Sequence, residues 1–229
     1  MNIIVNGGTR GIGKEVVSYL TQDLNNQILV TGRNEKALSD LSTSFKNVKS
    51  YSIDMSVFDS QTKKFTEIIS SHFKRVDILV NIAGCLIAKD FVDIQNDEAR
   101  LMMETNFFGP ASVIRILRPM MPAGSHIVNI SSMGGFQGSS KYKGLSYYSA
   151  SKAAIACLTE CLAHEFKEFG INVNCLALGA VQTEMFDKAF PGYKAPLDAK
   201  QMAEFISNFA LTGHKFFNGK ILPVAVINP

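Results

Sequence analysis

Short apolar runs and amphipathic stretches take turns along the whole chain, and that alternation constrains its fold more than any other feature. The runs are Ile3-Ile4-Val5, Ile28-Leu29-Val30, Tyr51-Ser52-Ile53, Ile78-Leu79-Val80, Ile127-Val128-Asn129-Ile130, Val173-Asn174-Cys175-Leu176 and Ile221 to Ile227. Several are apolar at consecutive positions, the pattern of strands covered on both faces. Helical periodicity lies between them: near Gly11, after Asn34, and over about 56–73, 98–121, 148–169 and 198–211. Strand–helix alternation builds βαβ units, so the expected fold is α/β, doubly wound, with a mostly parallel sheet and helices on both faces. The two longest aperiodic stretches, 131–146 and 184–197, each follow a strand. Both should therefore sit at the carboxyl edge of the sheet, where such folds bind ligands.

The 229 residues show no linker, internal repeat or low-complexity segment, so 1–229 reads as a single domain with a short substrate loop at about 184–197. A net charge of +3, with no basic stripe, argues against nucleic acid. Cys85, Cys157, Cys161 and Cys175 lack the spacing of a metal site and read as small buried hydrophobes in a reducing compartment. The opening apolar run is strand length, too short for a secretory or membrane segment, and a cytoplasmic protein without membrane contact is expected.

Asn6-Gly7-Gly8-Thr9-Arg10-Gly11-Ile12-Gly13 follows the first strand and opens a helix. A dinucleotide pyrophosphate needs backbone N–H groups and a helix N-terminus aimed at it, with no Cβ in the way. Glycines at a strand-to-helix turn provide this, although they also serve simply to join strand to helix tightly. The second strand ends Val30-Thr31-Gly32-Arg33, without the Asp or Glu that selects an unphosphorylated ribose. Arg33, with Arg10 in the glycine turn, points instead to a 2′-phosphate and to NADP(H) over NAD(H); the plainer reading of each arginine is a solvated surface charge.

Tyr148 and Lys152 stand four apart at the start of a helical pattern and so share a face. A phenol ionises near pH 10, but a neighbouring ammonium stabilises the phenolate and makes proton exchange with a substrate oxygen feasible. Upstream, the strand Ile127 to Ser132 ends in two hydroxyls able to donate to a carbonyl oxygen, and Ile155, Leu158, Leu162 and Phe166 mark the helix's packing face. Pro110 has no N–H for the carbonyl of Asn106, which predicts a bent helix with that carbonyl free to bind water.

These residues resemble the short-chain dehydrogenase/reductase family over essentially the whole chain. The matching motifs are Gly7/Gly11/Gly13, Asp54-Met55, Asn81-Ile82-Ala83-Gly84, Asn106, the Ile-Val-Asn-Ile-Ser-Ser strand, Tyr148 to Lys152, and Leu178 to Thr183. The resemblance implies a seven-stranded Rossmann fold and hydride transfer between nicotinamide C4 and a carbonyl or alcohol carbon of a small molecule. It makes Tyr148 the general acid/base and Ser132 the group that orients the substrate oxygen. Lys152 lowers the Tyr148 pKa and holds the nicotinamide ribose, while Asn106 positions a relay water. Cofactor contacts are implied at Gly7, Thr9, Arg10, Gly11, Ile12, Gly13, Arg33, Asp54, Met55, Asn81, Ala83, Gly84, Tyr148, Lys152, Gly179, Val181 and Thr183, with no metal. A homodimer or homotetramer is implied as well.

Departures from the family pattern are Asn6 for Thr, Ile82 for the second Asn, Leu178 for Pro, and a longer interval between Ser132 and Tyr148 that remodels the substrate wall. Leu178 removes a rigid φ from the loop beside the nicotinamide and predicts more mobility there. The expected pocket residues are Cys85, Leu86, Met133, Phe136, Tyr142, Phe186 and Tyr193, with Lys141 and Lys143 near an open or small-substrate site. The competing reading is a catalytically weak dinucleotide-sensing regulator on the same fold.

Overall fold

The computed structural model describes residues 1–226. Each apolar run forms a strand: β1 (Asn2–Asn6), β2 (Gln27–Gly32), β3 (Val48–Ser52), β4 (Ile78–Asn81), β5 (His126–Ser132) and β6 (Asn172–Leu178). Two-residue strands β7 (Val181–Gln182) and β8 (Leu197–Asp198) make a separate parallel pair, and β9 (Ile221–Val224) closes the main sheet. Ile227, the end of the last apolar run, lies outside the described residues. The seven-stranded sheet is parallel throughout, in the order β3-β2-β1-β4-β5-β6-β9. The fold is a doubly wound, Rossmann-like α/β sheet. Its strand order reverses between β1 and β4, which opens a crevice at their carboxyl ends.

Side chains alternate along each strand, so β1 feeds two cores. Ile3 and Val5 face α1 (Gly11–Leu20), α2 (Glu35–Ser44) and a late C-terminal helix; Ile4 faces the other side, against α3 (Phe58–His72) and the helices that follow. All three side chains are fully buried, each stabilising the fold by roughly 1.5–3 kcal/mol.

The long periodic stretch at 98–121 is not one straight helix. It comprises α4 (Asn96–Met103), one turn of π-helix at Glu104–Phe108, and α5 (Gly109–Leu117). Pro110 cannot donate to Asn106, and the Gly109 N–H reaches back to the Glu104 carbonyl. The expected irregularity is thus a widened turn. Gly109 is required there, since a Cβ would lie 2.5 Å from the Met55 carbonyl.

Two helices differ from expectation. On α6 (Ser146–Glu165), the buried face is Ser151, Lys152, Ile155, Ala156, Thr159 and Ala163. Leu162 and Phe166 pack at the edge of that core and Leu158 is only partly buried, because the small residues let the helix lie close on the sheet. The stretch 184–197 is not an open loop: it holds α7 (Glu184–Ala189), capped by the Thr183 hydroxyl on Phe186 N at 3.2 Å. α8 (Ala199–Thr212) then completes the first core.

Candidate active site

The glycine turn lies at the strand-order reversal, where β1 gives way to α1. Gly7 has φ +92, and a Cβ on it would meet the backbone of Ala83 at 2.5 Å; a Cβ on Gly13 would lie 2.1 Å from the Gly7 carbonyl. These contacts close the turn so tightly that only hydrogen fits. α1 begins at Gly11 with no side-chain cap and no acidic residue in its first turn, whereas α2 is capped by Asn34 and α8 by Asp198 with Gln201. The first N–H groups of α1 are therefore left for an anion. A side-chain-free cradle with a bare helix N-terminus fits a dinucleotide pyrophosphate.

The crevice is a cavity of about 880 Å³ running from this turn to Tyr148. Gly7, Thr9, Arg10, Gly11, Ile12, Gly13, Arg33, Asp54, Met55, Ala83, Gly84, Ser132, Tyr148, Lys152, Gly179, Val181 and Thr183 all line it. At the β2 end, Arg33 faces Asp54 at 3.8 Å, with its side chain 58% exposed. The pair is long and runs from one guanidinium nitrogen to Asp54 Oδ2, while Oδ1 accepts from the Ser56 N–H at 2.9 Å and hydroxyl at 2.8 Å. The guanidinium therefore keeps donors for a phosphate.

Asn81 does not line the cleft; it lies beneath it. The Thr31 hydroxyl donates to Asn6 Oδ1 (2.8 Å), the Asn6 amide to Asn81 Oδ1 (2.7 Å), and Asn81 to Asn129 Oδ1 (2.8 Å). Asn129 donates to the Thr159 hydroxyl on α6 (2.9 Å). These residues stand opposite one another in register across β2, β1, β4 and β5. The Asn6 carbonyl also accepts from Ile82 N (2.9 Å) and Ala83 N (2.8 Å), fixing the second cofactor turn. The Asn6 side chain, in the place of the family's Thr, thus joins β2 to β4.

Asn106 likewise stands behind the wall. Its amide brackets the Cys85 backbone, accepting from N at 2.7 Å and donating to O at 2.8 Å, and donates to the Ser151 hydroxyl at 2.9 Å. Ser151 in turn donates to the Tyr148 carbonyl at 2.7 Å. The π turn is thereby tied to the first turn of α6.

Ser132 and Tyr148 both line this space, with the Ser132 hydroxyl close enough to act on the phenol while it accepts from Gly134 N at 3.2 Å. Burial holds the Tyr148 phenol above its ordinary value, with the Ser132 contact opposing. The lysine is what burial perturbs strongly: Lys152 is pushed down to about 8. Its Nζ donates to the Ile130 carbonyl at 2.8 Å. The expectation that Lys152 lowers the Tyr148 pKa does not hold in this arrangement, where the ammonium is turned to the strand. Ser131 is no substitute for Ser132, since its buried hydroxyl donates to the Lys152 carbonyl at 2.7 Å.

Beyond Tyr148 the walls are largely apolar, with Lys143, Glu184 and Lys194 also among them. Leu86, Met133, Tyr142, Phe186 and Tyr193 line the cavity as expected, but Cys85 and Phe136 do not. Met185, Phe190, Pro196 and Ala225 join them. Lys141 is turned into its own loop, donating to the Phe136 carbonyl and the Ser139 hydroxyl, both at 2.7 Å, and Lys143 pairs with Asp90 at 2.8 Å. Gln182 ties the α7 segment down, donating to Asp187 and accepting from Ala195 N at 2.8 Å. Leu178 is buried in β6, and Gly179 N donates to the Val224 carbonyl at 2.9 Å, so the missing proline leaves the loop anchored.

The cysteines depart from the buried reading: Cys175 is buried, Cys85 is half-buried, and Cys157 and Cys161 are exposed on α6. Among the described residues there is no cluster suited to a metal, and no helix long and apolar enough to cross a membrane.

The family model for short chain dehydrogenases matches residues 1–194. The chain belongs to the short-chain dehydrogenase family. It is, with that family, an NAD(P)-dependent oxidoreductase. An uncharacterized oxidoreductase of Staphylococcus epidermidis is 29% identical over 212 residues, 91% of this chain and 90% of the relative. Among solved structures, a short chain dehydrogenase from Burkholderia cenocepacia in complex with NADP has a TM-score of 0.83 at 22% identity, covering 97% of this chain and 95% of that one. A 4-hydroxyisoleucine dehydrogenase complexed with NADH has a TM-score of 0.86 at 21% identity, covering 98% and 96%. Both likenesses are of fold.

Proposed function

We propose that this chain, as a single Rossmann-type domain, is an NADP(H)-dependent oxidoreductase acting on a small carbonyl or alcohol compound. The observation that carries this reading is the meeting of Ser132, Tyr148 and Lys152 in one cavity with the bare N-terminus of α1. When bound, the cofactor supplies or accepts a hydride at nicotinamide C4. The Gly7–Gly13 turn holds the pyrophosphate, Arg33 and Arg10 take the 2′-phosphate, and Ala83, Gly84, Gly179, Val181 and Thr183 line the remainder. Ser132 orients the substrate oxygen. Tyr148 gives that oxygen its proton in reduction and removes it in oxidation; burial keeps the phenol protonated at neutral pH, the form that reduction needs.

Lys152, whose ammonium donates to the Ile130 carbonyl at 2.8 Å, would hold the nicotinamide ribose and restore the phenol's proton. The Asn106 carbonyl, for which Pro110 has no N–H, holds the water that connects this relay to solvent. The family resemblance supports a homodimer or homotetramer.

The test mixes the protein with NADPH and a panel of aldehydes, ketones and quinones, following absorbance at the nicotinamide band. Tyr148→Phe should abolish turnover and leave NADPH binding in place. Full activity in that variant would refute the mechanism, and binding without turnover on any carbonyl would favour the regulator.

A further inference from the structure

The part of the cavity that the cofactor contacts do not use is lined by four rings, those of Tyr142, Phe186, Phe190 and Tyr193. Phe186 on α7 and Phe190 just after it are four residues apart, their centroids 5.1 Å from each other and tilted by 44°. Both line the cavity. Tyr142, on the extended loop between Ser132 and Tyr148, and Tyr193, on the segment after α7, stand at the mouth, 48% and 72% exposed. Met133 and Met185 complete the wall. Thioethers and ring edges both favour an aromatic guest over a saturated one of the same size.

Charge around this end is already committed in part. Lys143 is paired with Asp90 and Lys141 donates within its own loop, while Glu184 and Lys194, of opposite sign, line the cavity beside the rings. The α7 segment is held over the cavity by Gln182 and by the β7–β8 pairing of Val181 with Leu197 and Gln182 with Asp198, so the two phenylalanines are presented by a braced element.

We infer that the substrate is an aryl carbonyl compound, its ring held by Phe186 and Phe190 while its oxygen meets Ser132 and Tyr148. This rests on the proposed carbonyl-reducing function of the same site. In the reduction, the carbonyl carbon gains a hydride from NADPH and the C=O π bond opens. The oxygen takes the Tyr148 proton, leaving an aryl alcohol and NADP⁺. Phe186 and Phe190 are specificity-determining residues and take no part in the proton transfer.

The discriminating pair is acetophenone and cyclohexyl methyl ketone, which match in skeleton and differ in aromaticity. Binding of their corresponding alcohols to the NADPH-saturated protein, a dead-end complex in which no hydride can pass, is measured by calorimetry, alongside kcat/KM for the two ketones with NADPH. The expected result is an aryl preference of about tenfold in both readouts, the scale of two ring contacts. Phe186→Leu and Phe190→Leu should each shrink that preference severalfold through the aryl compound alone.

Equal binding of the two alcohols, or binding of neither, would overturn the inference. So would Phe190→Leu variants that lose NADPH affinity and keep the preference, which would assign the rings to the cofactor. Calorimetry reads ring selection without turnover, so an inactive wild type with a clear aryl preference would sink the proposed reaction and leave the ring site standing.

Discussion

The Asn6 side-chain amide donates to Asn81 Oδ1 at 2.7 Å, in the rung of the sheet directly beneath the two turns that frame the cleft. That bond is the centre of a buried chain from Thr31 to Thr159. It links the strand bearing the glycine turn to the helix bearing Tyr148 and Lys152. Each group in it is buried, so breaking one member strands its neighbours.

Asn6→Leu keeps the branched shape, adds some bulk and removes the side-chain hydrogen bonds. The Asn81 oxygen and the Thr31 hydroxyl are then buried without partners, a cost of about 2–4 kcal/mol. Urea unfolding of the variant should show its midpoint displaced with an unchanged slope. A loss under about 0.5 kcal/mol would mean that the chain is not a stabilising unit.

Lys152 points the other way. Its folded pKa is lowered from 10.5 to about 8, so its contribution is most favourable above 10.5 and declines as pH falls through 8. At neutral pH the buried ammonium costs the fold about 3 kcal/mol, partly offset by the bond to Ile130. Lys152→Met should raise Tm at pH 7 by about 2–4 °C while eliminating turnover. A clear fall in Tm would show that the Ile130 contact outweighs the burial.

On the opposite, amino end of β5, His126 is fully buried between the Ala210 carbonyl and the Asn174 amide, each at 3.0 Å. These partners fit the neutral ring with Nδ1 donating. Burial lowers its pKa from 6.5 to about 4. The unfolded chain therefore binds the proton first, and stability is lost as pH falls from 6.5 toward 4, by about 3 kcal/mol. Chemical denaturation across that range should reveal the slope in the wild type and a flatter one in His126→Gln. Parallel profiles would assign the acid sensitivity elsewhere.

Arg33→Asp tests the cofactor preference. Replacing the guanidinium by a carboxylate, beside the existing Asp54, should weaken NADPH by roughly ten- to a hundredfold. NADH should be weakened little or strengthened. Fluorescence titration of both cofactors decides it, and equal effects would remove Arg33 from the 2′-phosphate.

Much of this was readable because its signal is local. Consecutive apolar residues at Ile3-Ile4-Val5 identify a strand covered on both faces, and glycines at 7, 11 and 13 identify a turn with no room for side chains. Tyr148 and Lys152 are one helical turn apart, so their shared face needs no tertiary information. What escaped depends on partners distant in sequence. Asn6, Asn81 and Asn129 become neighbours only through sheet register, and nothing in a single strand announces that its polar end faces another.

α7 escaped for a different reason. Its six residues are too short for periodicity to show; the Phe186/Phe190 spacing and the Thr183 cap were the available signals. On α6, the large residues Leu158 and Leu162 outweigh Ala156, Thr159 and Ala163 in any hydropathy pattern, yet the small ones make the closer contact.

The exposed pair Cys157 and Cys161 lies on the side of α6 that faces away from the sheet. The neighbouring Cys161 holds the Cys157 thiol above its ordinary pKa. Alkylation there therefore accelerates with alkalinity and leaves buried Cys175, pushed up to about 12, untouched. The back of the helix that bears Tyr148 thus carries its own footprinting probe. Rapid labelling marks that surface as open to solvent, and dilution-dependent protection marks it as covered by another copy of the chain.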